Sequence, residues 1–154
     1  MSIQLIAATV QYLLFLAYVL YIVYRFGVLP SISESTYRLS TKEKGIFFIW
    51  LVLLGFLNLA QPLGIYGVVA MVGLGFTGVS VNHKQSLTRK VHTPAAFIAI
   101  GSSFSGLLML HGFWIPLVVF LSCTSLTYLK TKEQLVWWVE IVALHLIIGS
   151  YFFL

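Results

Sequence analysis

Six apolar segments, separated by short polar loops, dominate this chain of 154 residues. They cover approximately Gln4–Leu29, Gly45–Ala60, Gly64–Ser80, Thr93–Leu110, Trp114–Leu129 and Gln134–Leu154. A helix needs about 20 predominantly apolar residues to cross the hydrocarbon core of a bilayer. The sequence therefore predicts one all-α domain, residues 1–154, that forms a polytopic transmembrane bundle. We expect six spans, or five if one of the uncharged hairpins is re-entrant.

The composition agrees with a membrane protein. Hydrophobic residues make up 60% of the chain and charged residues 8%, whereas soluble domains have about 45–50% and about 25%. A soluble protein of this size could not cover so apolar an interior with polar surface. The formal net charge of +5 does not indicate a nucleic-acid partner, because the basic residues lie in short loops. Membrane lipids are the predicted partners, and a homo-oligomer remains open.

The basic residues predict the orientation in the membrane. Eight of them lie in the first, third and fifth loops: Arg38, Lys42, Lys44, Lys84, Arg89, Lys90, Lys130 and Lys132. The second loop, the fourth loop and both tails contain none. Because cytoplasmic loops are enriched in Lys and Arg, we expect a multi-pass protein of the cell membrane. Its N- and C-termini should be non-cytoplasmic.

Three patterns predict where helices begin. Ser40–Glu43 and Thr131–Gln134 have the spacing of a capping box, in which a hydroxyl and a carboxylate or amide satisfy backbone N–H groups reciprocally. Thr93 followed by Pro94 suits an N-cap and the first helical residue. These patterns place the second, sixth and fourth helices, respectively.

Small residues predict tight packing for two of the segments. Ala95, Ala99 and Ser103 recur at intervals of four in the fourth segment, and five glycines lie within residues 64–80. Such residues let the backbone of another helix approach closely. We therefore expect the third and fourth segments each to lie in a tight interior seam of the bundle.

Polar side chains also mark one face of the first segment. Gln4, Gln11, Tyr18 and Arg25 are spaced seven apart, which places them on one side of a helix. That side should face the bundle, because polar groups are costly in lipid. Arg25 and Glu140 should each lie within about 10 Å of the inner boundary, so we expect an ion pair. The alternative is that Arg25 extends to the head groups and Glu140 is protonated.

His145 and Gln11 are the polar residues predicted at mid-membrane depth. His145 lies about 140° around its helix from Glu140, so the two do not share a face. A mid-membrane imidazole needs a hydrogen-bond partner. The candidate partners are Ser102, Ser103, Asn58 and Gln11. A satisfied interior histidine and a ligand-binding or proton-handling histidine both remain open.

The longest polar stretch, LPSISESTYRLSTKEKG at residues 29–45, adjoins the end of the first segment. The predicted topology brings it to the same membrane face as the starts of the fourth and sixth segments. A candidate ligand-binding site follows: Arg25, Ser31, Ser33, Glu34, Tyr37, His92 and Glu140. Ionisable groups at one depth are typical of functional sites. A purely structural role remains open, because Ser31–Glu34 also has the spacing of a capping box.

Three motifs, PSISESTY, VHTPAA and WWVEI in that order, resemble those of a group of uncharacterised small bacterial membrane proteins. That group has a Ser-Ile-Ser-x-x-Tyr-like loop, a histidine at a helix start and a glutamate near the end. It is distantly similar to the ceramidase and progestin-receptor-like membrane hydrolases, the CREST superfamily. The superfamily's zinc site combines a serine, an aspartate and three histidines, two of them spaced His-x-x-x-His. This chain has no aspartate, and His145 has no second histidine four residues away.

The resemblance implies a metal-dependent, lipid-directed hydrolase. Ser33 or Ser31 would supply the nucleophilic or polarising hydroxyl, and His92 with Glu140 would be metal ligands or an acid–base pair. A catalytic zinc ion usually takes three protein ligands, and His92 and His83 are the histidines that could meet. Two other functions remain open: binding of a lipid or small ligand at the cytoplasmic face, and a transporter or channel subunit formed by oligomerisation.

Overall fold

The computed structural model describes residues 2–80, 86–130 and 134–154. These residues form α-helices and contain no β-strand. The helices are α1 (Ile3–Phe26), α2 (Ser35–Arg38), α3 (Thr41–Asn58), α4 (Ile65–Val79), α5 (Ser86–His111), α6 (Ile115–Lys130) and α7 (Leu135–Ser150), and a 3₁₀ turn follows at Tyr151–Phe153. The all-α prediction is confirmed. The sequence did not predict the short helix α2 within the first polar loop.

Within the described ranges, three stretches of helix are long and apolar enough to cross a membrane: Ile3–Phe26, Lys90–His111 and Leu135–Phe153. Helices α4 and α6 are apolar but shorter. Many large hydrophobic side chains of the described residues are exposed, with Tyr24 94% and Leu13 60% accessible. Apolar surface of this extent is typical of a protein that contacts lipid.

The predicted helix starts have different outcomes. The capping box of Ser40 and Glu43 is present at the start of α3, so this prediction is confirmed. The predicted start at Thr93 is wrong, because α5 begins at Ser86 and Pro94 lies inside it. Proline removes one backbone hydrogen bond, and helices within membranes tolerate this loss. Residues 131–133 of the other predicted capping box lie outside the described residues.

The predicted tight packing of small residues is confirmed in α4 and in α5, and the structure shows that these two helices pack against each other. A Cβ atom added at Gly73 would lie 2.8 Å from the backbone nitrogen of Ala99 and 2.9 Å from the carbonyl oxygen of Ala95. Ala95, Ala99 and Ser103 are all buried. The two backbones therefore touch at a point where only glycine leaves enough space.

The polar face of α1 is buried only along its middle. Gln11 and Tyr18 are buried, whereas Gln4 and Arg25 at the two ends of the helix are exposed. Tyr18 stacks on Trp50 of α3, with 4.3 Å between the ring centroids. The face predicted from the seven-residue spacing therefore contacts α3 through its two central residues.

Gln11 joins α1 to α3 through two buried hydrogen bonds. Its Nε2 donates to the Leu54 carbonyl at 2.9 Å and to Asn58 Oδ1 at 2.8 Å. We expect Gln11→Ala to lower the free energy of unfolding by about 1–3 kcal/mol, because each bond contributes about 0.5–1.5 kcal/mol net. Unfolding by SDS in mixed micelles measures the change. Gln4→Ala, on the same helix with an exposed side chain, is the control, and an equal loss there would contradict the prediction.

Candidate functional site

Five of the seven residues predicted to bind a ligand line one cavity of about 460 Å³: Ser31, Ser33, Glu34, His92 and Glu140. This polar cavity lies where the segment after α1 meets α5 and α7. Its other lining residues come from α5 and α7: Thr93, Ala96, Phe97, Ile100, Val136 and Val139. The volume is within the range of small-molecule sites, about 300–1,000 Å³. Among the described lining residues there are two carboxylates and no lysine or arginine.

Two backbone contacts hold the segment between α1 and α2 against the start of α7. The Trp137 N–H donates to the Pro30 carbonyl at 3.0 Å, and the Ile32 N–H donates to Glu140 Oε2 at 2.6 Å. Trp137 is in the first turn of α7, where backbone N–H groups have no acceptor within the helix. The connecting segment therefore accepts a hydrogen bond from the first turn of α7. One turn later, the Glu140 carboxyl of α7 accepts a hydrogen bond from the connecting segment.

Ser33 and His92 form a buried hydrogen bond in the wall of the polar cavity. Ser33 Oγ lies 2.8 Å from His92 Nε2, and His92 Nδ1 lies 3.1 Å from the carbonyl oxygen of Thr77 in α4. Both Ser33 and His92 are 6% exposed. One histidine of α5 thus connects the segment after α1 to the end of α4.

The neighbouring serines have structural contacts. Ser31 Oγ accepts the Glu34 N–H at 3.0 Å, which is the serine half of the predicted capping box. Tyr18 Oη and Ser35 Oγ are 2.8 Å apart and buried. The structural interpretation of this segment is therefore supported at Ser31 and Ser35, whereas Ser33 contacts an ionisable side chain on another helix.

The predicted ion pair of Arg25 with Glu140 is wrong. Arg25 instead pairs with Glu43 at the start of α3 and also donates to Tyr21 Oη. Hydrogen bonds from Ser40 and from Arg25 lower the pKa of the Glu43 carboxyl to about 2. Neither Arg25 nor Tyr37 is among the described residues that line the polar cavity. The spacing along α1 did not predict that Arg25 pairs with a carboxylate of α3 and not with one of α7.

His145 is not an interior residue. It lies on the exposed surface of the bundle, where its Nδ1 is 2.9 Å from Tyr12 Oη. None of the predicted partners is its hydrogen-bond partner. Glu140 faces the polar cavity, and an offset of about 140° around the same helix turns His145 away from it. Gln11 is in the interior as predicted and is only 1% exposed.

The described residues do not fit a zinc site. They contain no group of three His, Cys, Asp or Glu side chains placed to hold a metal ion, whereas a catalytic zinc usually takes three protein ligands. Both ring nitrogens of His92 are engaged in hydrogen bonds. The predicted second ligand, His83, lies outside the described residues, so its metal role stays a prediction.

An apolar groove of about 280 Å³ runs between α5, α6 and α7. It shares Phe97, Ile100 and Val139 with the polar cavity. From Phe97 it extends to Leu108, which is about 16 Å along α5 at 1.5 Å per residue. The sequence did not predict this groove, because its side chains are as apolar as those that face lipid.

No protein family model, curated protein or solved structure matches this chain. The resemblance to small bacterial membrane proteins, and through them to the CREST superfamily, stays a prediction.

Proposed function

We propose that this chain is a six-span protein of the cell membrane that binds a lipid-like amphiphile. The polar head occupies the polar cavity at the cytoplasmic face, and the acyl chain lies in the apolar groove. One observation carries the proposal: Phe97, Ile100 and Val139 line both spaces. Phe97 is also 71% exposed, so the junction is accessible from the apolar surface from which a membrane lipid would enter.

Contacts at the two ends of the bundle support six alternating spans. The end of α4 and the start of α5 meet through Thr77 and His92, and the segment after α1 meets the start of α7. At the opposite end, His111, the last residue of α5, donates through Nε2 to the Pro62 carbonyl after α3 at 2.7 Å. The described basic residues Arg38, Lys42, Lys44 and Lys90 lie in α2 and near the starts of α3 and α5, at the first of these ends, which favours a cytoplasmic location for the cavity.

The lining chemistry favours a head group that donates hydrogen bonds. Glu34 and Glu140 present carboxylates to the polar cavity, and carboxylates of one sign attract a positively charged group. A primary amine donates hydrogen bonds and carries a positive charge, whereas a hydroxyl only donates a hydrogen bond. We therefore expect an amine-bearing amphiphile to bind more tightly than a neutral one, and a phosphate-bearing one to bind least.

A photoreactive long-chain amine, with a diazirine near the end of its alkyl chain, tests the proposal in proteoliposomes. We expect cross-links in the apolar groove, at Phe104, Leu117 or Phe120. Ser105→Trp fills the groove with an indole ring. A filled groove, like a packed interior, has no space for a further alkyl chain, so the cross-linked yield should fall about tenfold or more.

Ser125→Trp is the matched control, since Ser125 is an exposed serine of α6 that does not line the groove. It should leave the cross-linking pattern as in the wild type. Cross-links spread evenly over the lipid-facing helices, with S105W equal to S125W, would contradict binding in the groove.

A further inference from the structure

The Ser33 hydroxyl is held by a hydrogen bond to His92. The binding of an amphiphile does not require this contact. Carbonyl oxygens only accept hydrogen bonds, so the contact with Thr77 requires the proton of a neutral His92 to be on Nδ1. Nε2 then carries a lone pair, and the hydrogen bond at 2.8 Å must be donated by the Ser33 hydroxyl. A serine is thus placed against a basic nitrogen whose tautomer is set by a second contact, as in nucleophilic serine sites.

The position of Thr77 adds an electrostatic contribution. Helix α4 ends at Val79, so the Thr77 carbonyl is one of the last four, which have no N–H partner within the helix. These carbonyls form the negative end of the helix dipole and stabilise a nearby positive charge. The end of α4 would therefore stabilise the imidazolium that forms when His92 takes a proton from Ser33.

The geometry points to Ser33 as the nucleophile, and His92 as the general base, of an acyl transfer from the carboxylic ester of a long-chain acid. This inference rests on the proposed function, because the apolar groove must hold the acyl chain. The polar cavity then receives the ester carbonyl beside Ser33 and the alcohol portion beside Glu34 and Glu140. A water molecule is the second reactant.

Two steps balance the reaction. In the first, Ser33 Oγ bonds to the carbonyl carbon while its proton passes to His92 Nε2. The bond from this carbon to the alcohol oxygen then breaks, and the alcohol leaves with that proton. In the second, water attacks the acyl carbon and gives a proton to His92. The bond to Oγ breaks and Ser33 regains the proton, so one ester and one water yield one alcohol and one acid.

An alkyl fluorophosphonate with a hexadecyl chain tests the inference in the full-length protein. It should form one covalent adduct, measured by intact-protein mass spectrometry and mapped by proteolysis to Ser33. Ser33→Ala should abolish the adduct. His92→Gln should slow its formation about 100-fold or more, the contribution typical of a general base. Ser125→Ala, which removes an exposed serine of α6, should react like the wild type.

The outcomes separate this inference from the proposed function. If the long-chain amine cross-links in the groove but the wild type forms no adduct at Ser33, acyl transfer is wrong and binding stands. An adduct at Ser33 without cross-links in the groove would support a reactive serine and contradict the proposed tail site. Since the adduct is mapped on the wild type, the result stands even if S33A does not fold. An H92Q variant that folds and reacts at the wild-type rate would also overturn the inference.

Discussion

Gly73→Ala should destabilise the bundle by about 1–3 kcal/mol, the usual cost of forcing extra volume into a packed interior. The added methyl group would lie 2.8 Å from a backbone nitrogen and 2.9 Å from a backbone oxygen of α5. Backbone atoms cannot rotate away as a flexible side chain can, so α4 and α5 must separate. Gly73→Leu should be worse, and the midpoint of SDS-induced unfolding measures both variants.

Gly75→Ala provides the matched control on the same helix. No atom of the described residues lies within 4 Å of a Cβ atom at Gly75, so this substitution adds no overlap. Alanine is a better helix former than glycine by about 1 kcal/mol in soluble helices, and G75A should therefore be neutral or stabilising. Equal unfolding midpoints for G73A and G75A would contradict the close contact between α4 and α5.

The positions of Ser33, His92 and Glu140 could be predicted from the sequence because they depend on topology. Apolar segments that alternate in direction bring the end of one and the starts of two others to one face, and these residues lie near those points. Tight packing around Gly73 and around Ala99 could also be predicted, since small residues at helical spacing are typical of helix–helix interfaces within a membrane. The sequence did not predict that these two residues pack against each other, because a small residue does not specify which helix approaches it.

The rotation of each helix could not be predicted from the same pattern. In lipid, an outward-facing residue is as apolar as an inward-facing one, so a weak polar signal decides which side faces the bundle. Depth along the helix favours a pair of Arg25 with Glu140, although Arg25 pairs with Glu43 of α3. Depth alone also predicts an interior position for His145. No sequence pattern predicts that the Thr77 carbonyl contacts His92, because every residue has a carbonyl.

The charge of Glu140 should determine which amphiphile binds. Glu140→Gln keeps an oxygen that can accept the Ile32 N–H but removes the carboxyl group that would pair with a bound ammonium group in the polar cavity. Hydrogen bonds to charged groups contribute about 1.5–3 kcal/mol, and each 1.4 kcal/mol is a factor of ten in affinity. We therefore expect E140Q to bind the photoreactive long-chain amine about 10- to 100-fold more weakly, measured by the concentration dependence of cross-linking.

A long-chain alcohol of the same length separates the loss of charge from damage to the fold. Because the alcohol is neutral, it should bind the wild type and E140Q with similar affinity. Its competition with the photoreactive amine measures this affinity. Glu43→Gln is the control variant, since Glu43 pairs with Arg25 and does not line the polar cavity. It should bind the amine as the wild type does. The affinity of E140Q for the alcohol could instead fall by the same factor as its affinity for the amine. Glu140 would then act by holding the connecting segment on α7, and the cavity would not select its ligand by charge.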